Sequence, residues 1–178
     1  MSDLEQLRYP IGRFERPKEI TSENIKHWIG QIETLPARFR NIAESLSEQQ
    51  LDTPYRPEGW TLRQVIHHVP DSHVNSYVRF KWTLTEETPT IKAYNEVAWA
   101  NLGDYTSVPI KTSLDFLEIL HSRWVPLLKS LSADELNKSF IHPEHGKAVP
   151  LKVNVALYAW HGEHHLGHLV QTVRMHKW

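Results

Sequence analysis

Histidine is the residue type whose number and spacing point to chemistry in this chain. The sequence holds 12 histidines among 178 residues, and two segments concentrate them. One segment carries His67, His68 and His73, and the other reads HGEHHLGH over residues 161–168. Neutral imidazole binds zinc, nickel, copper and iron, so the two segments together are candidates for a metal site.

Helical phase indicates which of these side chains can converge. A rotation of about 100° per residue places His161 and His165 on one face of a helix. The same rotation puts His68 at the edge of the apolar face of its own helix. We therefore predict that His68, His161 and His165 meet across a bundle and leave one coordination position open, as in catalytic zinc sites. His164 and His168, which are also four residues apart, are the alternative pair.

The other histidines receive different predictions. His73 falls in the middle of an apolar arc and is expected in the core. Surface or loop positions are expected for the following set: His67, His121, His142, His145 and His176. Asp71, Asn154 and Tyr158 are candidates for orienting the ligand imidazoles.

Other catalytic signatures do not fit the sequence. Position 162 is Gly and Glu163 is predicted to face solvent, so the helical pair is not the HExxH of a zincin. The chain has no GxSxG, P-loop or GxGxxG motif. It has no cysteine, which excludes disulfides, thiolate metal sites and cysteine nucleophiles.

Composition indicates a folded protein without a nucleic-acid or membrane partner. The net charge is −1, with 20 Lys and Arg against 21 Asp and Glu, so no basic surface is expected for a phosphate backbone. The first residues lack the apolar run of a signal peptide, and no segment of about 18 apolar residues occurs. A cytoplasmic location is therefore expected. An apolar N-terminal segment and surplus tryptophan suggest a homodimer.

Apolar periodicity predicts an all-α protein built on a four-helix bundle. Residues 1–21 are expected to form an arm without helical periodicity, followed by a single domain over residues 22–178. The four predicted helices span residues 22–46, 61–83, 112–131 and 151–175. A long irregular connection over residues 84–111 joins the second and third helices. Strand signals are sparse.

A weak internal repeat supports this division. LSEQQL at residues 46–51 and LSADEL at residues 131–136 each follow a helix, and each precedes a helix that bears histidines. Two related helical hairpins of this kind make a four-helix bundle. Pro36 is expected to bend the first helix, and Pro70 removes a backbone N–H just after His68 and could re-aim it.

Several segments together resemble a known family. These are YPIG at residues 9–12, GWTLRQVIHHVPDSHVNSYVRFKWTLTEETPTIKAYNE at residues 59–96 and YAWHGEHHLGH at residues 158–168. They are similar to the DinB-like superfamily, and most similar to its YfiT-type group of metal-dependent hydrolases. The resemblance implies a four-helix bundle with one divalent ion, zinc or nickel, held by His68, His161 and His165.

Three functions follow as expectations. The first is a divalent-metal-dependent hydrolase acting on a small molecule, with metal-bound water as the nucleophile. Related members also imply a thiol S-transferase that uses bacillithiol or a similar low-molecular-weight thiol. The third is a metal-stabilised binding or stress-response bundle without turnover.

Overall fold

The fold is a four-helix bundle with short accessory elements, seen in a computed structural model that describes residues 3–178. The first two positions of the predicted arm therefore lie outside the described residues. The bundle consists of α2 (Ser22–Ala43), α4 (Leu62–Thr85), α7 (Ile110–Ser130) and α9 (Leu151–His176). The prediction of an all-α bundle is confirmed.

The four long helices are arranged so that each has two neighbours. Helices α7 and α9 each pack against both α2 and α4, which places α2 and α4 on opposite corners. The buried interior contains apolar side chains from all four helices, such as Phe39, Phe80, Trp124 and Leu169. Histidines from three of these helices are buried in the same interior.

Local sequence explains where several helices begin. Thr21 and Asn24 form a reciprocal capping box at the start of α2, and Thr61 and Gln64 form one at the start of α4. Each box satisfies two backbone N–H groups that the first helical turn leaves unpaired. The predicted cap at Thr61 is thereby confirmed.

The repeated segments take the same structure twice. Ser47 caps the short helix α3 (Glu48–Leu51), and Ser132 caps α8 (Ala133–Asn137), each through a capping box. The first bundle helix consequently ends at Ala43 and not at residue 46, because a separate capped turn begins after Ser47.

The N-terminal segment is partly helical, contrary to the expectation of an arm without helical periodicity. Helix α1 (Asp3–Arg8) precedes an extended stretch that crosses α9. The indole of Trp160 donates a hydrogen bond to the carbonyl oxygen of Gly12 at 3.2 Å. The side chain of Pro10 packs so closely on Gly167 that an added Cβ would lie 2.9 Å from Cγ of Pro10.

The long connection between the second and third bundle helices is ordered and packed. It contains α5 (Glu96–Trp99) and α6 (Asp104–Ser107), and it buries Ile91 and Tyr105. Its backbone also pairs with a small hairpin that the sequence did not reveal, formed by β1 (Ser139–His142) and β2 (Lys147–Pro150). Each strand has 4 residues, which is the shortest length at which alternating hydrophobicity indicates a strand.

Candidate metal centre

Three histidines from two helices meet at the centre of the bundle. His68 comes from α4, and His161 and His165 come from α9. Their candidate ligand nitrogens all lie within 4.8 Å of one another. The structure therefore brings together the three side chains that helical phase selected.

The separation of the ring nitrogens suits a tetrahedral ion. Nε2 of His68 and Nε2 of His161 are 3.3 Å apart. Two nitrogens that each lie about 2.0–2.1 Å from a tetrahedral zinc ion are separated by about 3.3 Å. The rings of His161 and His165 are inclined at 69° to each other, with centroids 4.5 Å apart. The donor set and the separation of its first pair therefore fit a divalent ion.

Helix α9 can approach its neighbour closely because residue 162 is glycine. A Cβ at Gly162 would lie only 2.5 Å from Cδ2 of the buried Leu35 on α2. This close contact holds α9 against α2 at the position directly after His161, the first of the two ligands on α9. The helix of His68 continues through Pro70 without a break, so His68 keeps its place among the three rings.

Burial keeps the three imidazoles neutral. Desolvation, followed by the nearby His164, lowers the pKa of His68 to about 4. Desolvation and several neighbouring histidines hold the pKa of His161 and of His165 well below the usual value of 6.5. At neutral pH each of the three rings is therefore uncharged and has a free lone pair on one nitrogen. This neutral form of histidine is the one that binds a metal.

The alternative set His164, His165 and His168 also lies within ligand distance. Nε2 of His168, however, is 3.2 Å from the carbonyl oxygen of Arg8, and an oxygen acceptor requires an N–H there. His164 stacks on the indole of Trp160 at a centroid distance of 4.6 Å. We therefore favour the set that spans two helices.

A cavity of about 310 Å³ opens over the three rings. It is lined by the three candidate ligands and by the following side chains: Trp60, Ser72, Tyr94, Glu96, Trp160 and His164. Tyr94 and Glu96 belong to the long connection, which sequence reasoning left without a role. A larger groove of about 890 Å³ runs between α2 and α7, but it does not reach the three rings.

Two of the three side chains predicted to orient the ligands have other partners. The hydroxyl of Tyr105 donates to Asp71 at 2.7 Å, and the amide of Asn154 donates to the hydroxyl of Ser76 at 2.9 Å. Tyr158 does contact His161, with ring centroids 5.5 Å apart. Glu163 accepts two hydrogen bonds from Arg38 at 2.6 and 2.8 Å and does not line the cavity over the three rings.

Two histidines predicted on the surface are buried, so those predictions are wrong. His67 is 5% exposed and bonds to the hydroxyl of Ser113 on α7, and His121 is 2% exposed. The spacing of Leu117, His121 and Trp124 on α7 repeats the apolar period, and this signal could have identified His121. His73 is fully buried as predicted, and His145 and His176 are exposed as predicted. His142 is partly buried in β1.

Fold, site and sequence comparison agree on the class of protein. Residues 31–169 match the DinB superfamily, and the chain belongs to this superfamily. In residues 3–178 no helix is long and apolar enough to span a membrane.

The relatives are similar over nearly their whole length. A Bacillus cereus ATCC 10987 protein named "Putative metal-dependent hydrolase" is 51% identical over 175 residues, which cover 98% of this chain and 100% of the relative. A protein of the same name from Bacillus anthracis CDC 684 is 50% identical with the same coverage. The solved structure of YfiT from Bacillus subtilis, described as "a probable metal-dependent hydrolase with an unusual four-helix bundle topology", is 42% identical. It matches with a TM-score of 0.94 and covers 97% of this chain and 99% of YfiT.

Proposed function

We propose that this protein is a hydrolase of small molecules that depends on one divalent metal ion held by His68, His161 and His165. The observation that carries the proposal is the convergence of three neutral imidazoles at the floor of an open cavity. The names of the relatives support the same class. Imidazole suits both zinc and nickel. We propose zinc as the first choice and nickel as the second.

A divalent ion at this position would supply Lewis acidity and lower the pKa of a water molecule to about 7. The chain supplies the surroundings. Burial raises the pKa of the Tyr94 hydroxyl, which therefore stays protonated and can donate a hydrogen bond to a substrate oxygen. The carboxylate of Glu96, at the exposed rim of the cavity, can accept a proton and pass it to solvent.

The walls of the cavity limit the size and character of the substrate. About 310 Å³ is at the lower end of the usual range for small-molecule sites, and the indoles of Trp60 and Trp160 provide flat apolar surfaces. A small, partly apolar ester or amide fits these features.

We also propose that the protein acts in the cytoplasm as a homodimer. Sedimentation velocity would test the oligomeric state.

The first experiment measures metal content by mass spectrometry. We expect about one ion per chain in the wild type and a loss of roughly 10-fold or more in occupancy for His68→Ala and His161→Ala. His67→Ala is the matched control, because His67 is buried beside His68 and bonds to Ser113 instead of the site. Equal metal content in His67→Ala and His68→Ala would refute the site.

The second experiment distinguishes the three functions. A panel of chromogenic esters and amides is assayed without thiol, and an electrophile is assayed with bacillithiol. Metal-dependent turnover without thiol supports hydrolysis. Turnover only with thiol would replace it by S-transfer, for which the chain's lack of cysteine requires a thiol from outside. Full metal occupancy without turnover in either assay would leave a binding protein.

A further inference from the structure

Behind His161 a line of hydrogen bonds crosses the whole bundle. Nδ1 of His161 is 3.2 Å from Nε2 of His73, and Nδ1 of His73 is 2.8 Å from Nε2 of His121. Nδ1 of His121 is 2.7 Å from the carbonyl oxygen of Ile32. The four residues come from α9, α4, α7 and α2, so every long helix contributes one member.

The carbonyl at the end of this line sets the direction of every bond in it. An oxygen can only accept, so Nδ1 of His121 bears the hydrogen and its Nε2 is an acceptor in the neutral ring. Nδ1 of His73 therefore donates to His121, and Nε2 of His73 accepts from Nδ1–H of His161. Nε2 of His161 is left without a hydrogen, with its lone pair directed at the candidate metal position.

A second, shorter line stands behind His165. Nε2 of His168 lies 3.2 Å from the carbonyl oxygen of Arg8 and must donate to it. Nδ1 of His168 is then an acceptor, and it lies 3.4 Å from Nδ1 of His165. His165 in turn carries its hydrogen on Nδ1 and has a free lone pair on Nε2.

Both lines are shielded from water. His73 is 0% exposed, and His121 and His168 are each 2% exposed. The rings of Trp124 and Tyr158 meet His73 edge-on at 5.6 and 5.3 Å. In an apolar interior a hydrogen bond is stronger than in water, and an unpaired ring nitrogen is costly. The tautomers are therefore held firmly.

We propose that His73 with His121, and His168 alone, are positioning residues that fix His161 and His165 as Nδ1–H tautomers before any metal binds. This inference rests on the proposed metal site for its purpose, but not for its geometry. Metal-binding histidines are commonly backed by a carboxylate, a backbone carbonyl or water. Here the backing is neutral imidazole that ends on a backbone carbonyl, so no negative charge lies behind the ligands.

The tautomers can be measured without metal. In chelator-treated protein with ¹⁵N-labelled histidine, two-bond proton–nitrogen spectra report which ring nitrogen carries the hydrogen. We expect Nδ1–H for His161, His73, His121 and His165, and Nε2–H for His168. Nε2–H on His161, or a rapidly exchanging mixture on His73, would overturn the proposal whether or not the protein proves to be a metal enzyme.

Metal affinity provides the second test. Competition with a chromophoric chelator should show binding roughly 10- to 100-fold weaker in His73→Phe and His121→Phe. His67→Phe is the matched control, because it also replaces a buried histidine but touches neither line. Equal weakening in the control and in His121→Phe would overturn the proposal.

A conservative variant separates positioning from packing. His73→Gln keeps a carbonyl acceptor near the position of Nε2, so it should recover most of the affinity lost in His73→Phe and restore the Nδ1–H signal of His161. Failure of His73→Gln to improve on His73→Phe in both measurements would show that His73 only fills space. If wild-type protein binds no metal while the tautomers are as expected, the proposed function fails and the positioning inference stands.

Discussion

At the scale of single residues, the polar groups near the site divide into those that face the cavity and those that hold the frame. Asp71 belongs to the second group, because its carboxylate accepts from the hydroxyl of Tyr105 on α6. Burial raises the pKa of Asp71 and that bond lowers it. Tyr105, 2% exposed, thus ties the long connection to α4 through one partly desolvated acceptor.

Replacing Tyr105 by Phe should therefore lower the free energy of unfolding by about 1–3 kcal/mol, because the carboxylate of Asp71 loses its donor. Chemical denaturation of chelator-treated protein measures the change. In an Asp71→Ala background the same replacement should lower the free energy of unfolding by clearly less.

Asp71→Asn should leave the metal content unchanged, because Asp71 bonds to Tyr105. A large loss of metal in that variant would return Asp71 to the set of orienting side chains.

At the scale of elements, two helical glycines on α2 and α9 have different surroundings. Gly162 on α9 faces Leu35 of α2 at a distance that leaves no room for a Cβ, whereas a Cβ added at Gly30 on α2 would have no heavy atom within 4 Å. Helix α9 thus lies against α2 at one point where only hydrogen fits.

The two positions should respond in opposite ways to alanine. Gly30→Ala should stabilise the protein by about 0.5–1 kcal/mol, because alanine favours the helix and meets nothing. Gly162→Ala should destabilise it, since overpacking of about 1–3 kcal/mol exceeds that gain. Thermal unfolding of both variants gives the comparison. A stabilised Gly162→Ala would contradict the close approach, and Leu35→Ala in the same chain should relieve the strain.

At the scale of the whole molecule, the interior contains an unusual number of neutral histidines. Burial lowers the pKa of His121 and of His164 to about 4, and that of His168 to about 3. The pKa of His73 is held well below 6.5 by burial and by His121. The unfolded chain binds protons at these rings near pH 6.5, so between pH 6.5 and 4 the unfolded state carries more protons than the folded state.

Stability of the metal-free protein should consequently fall as the pH is lowered from 7 to 5. Each histidine that is protonated only in the unfolded state contributes a slope of about 1.4 kcal/mol per pH unit. Urea unfolding with chelator present, at pH 7, 6 and 5, measures this slope above the range in which carboxylates titrate. His121→Phe should reduce this slope by about 1.4 kcal/mol per pH unit, which is the contribution of one proton. A flat profile over the same interval would contradict the burial of these rings in neutral form.

The sequence by itself determined the four long helices, their bundle and the three histidines that could converge. Apolar period and capping residues are local, so Thr61 with Gln64 could be read as the start of α4, and the phase of His161 and His165 followed from one helix alone. The burial of His67 did not follow, because helical phase turns it away from the apolar face of α4 and it is covered by Tyr105 of α6 and Ser113 of α7. The apolar period of α7 does carry a signal for the burial of His121, but its partner, the carbonyl oxygen of Ile32, belongs to another helix.

Only the tertiary structure decided what lies behind the ligands. Successive members of the line from His161 to Ile32 are separated by 48 to 89 positions along the chain, and they meet because of the way four helices pack. Hydrogen bonds of this kind depend on small differences in distance between helices. Residue types and spacing set which atoms are available, but the packing of the helices sets which of them meet.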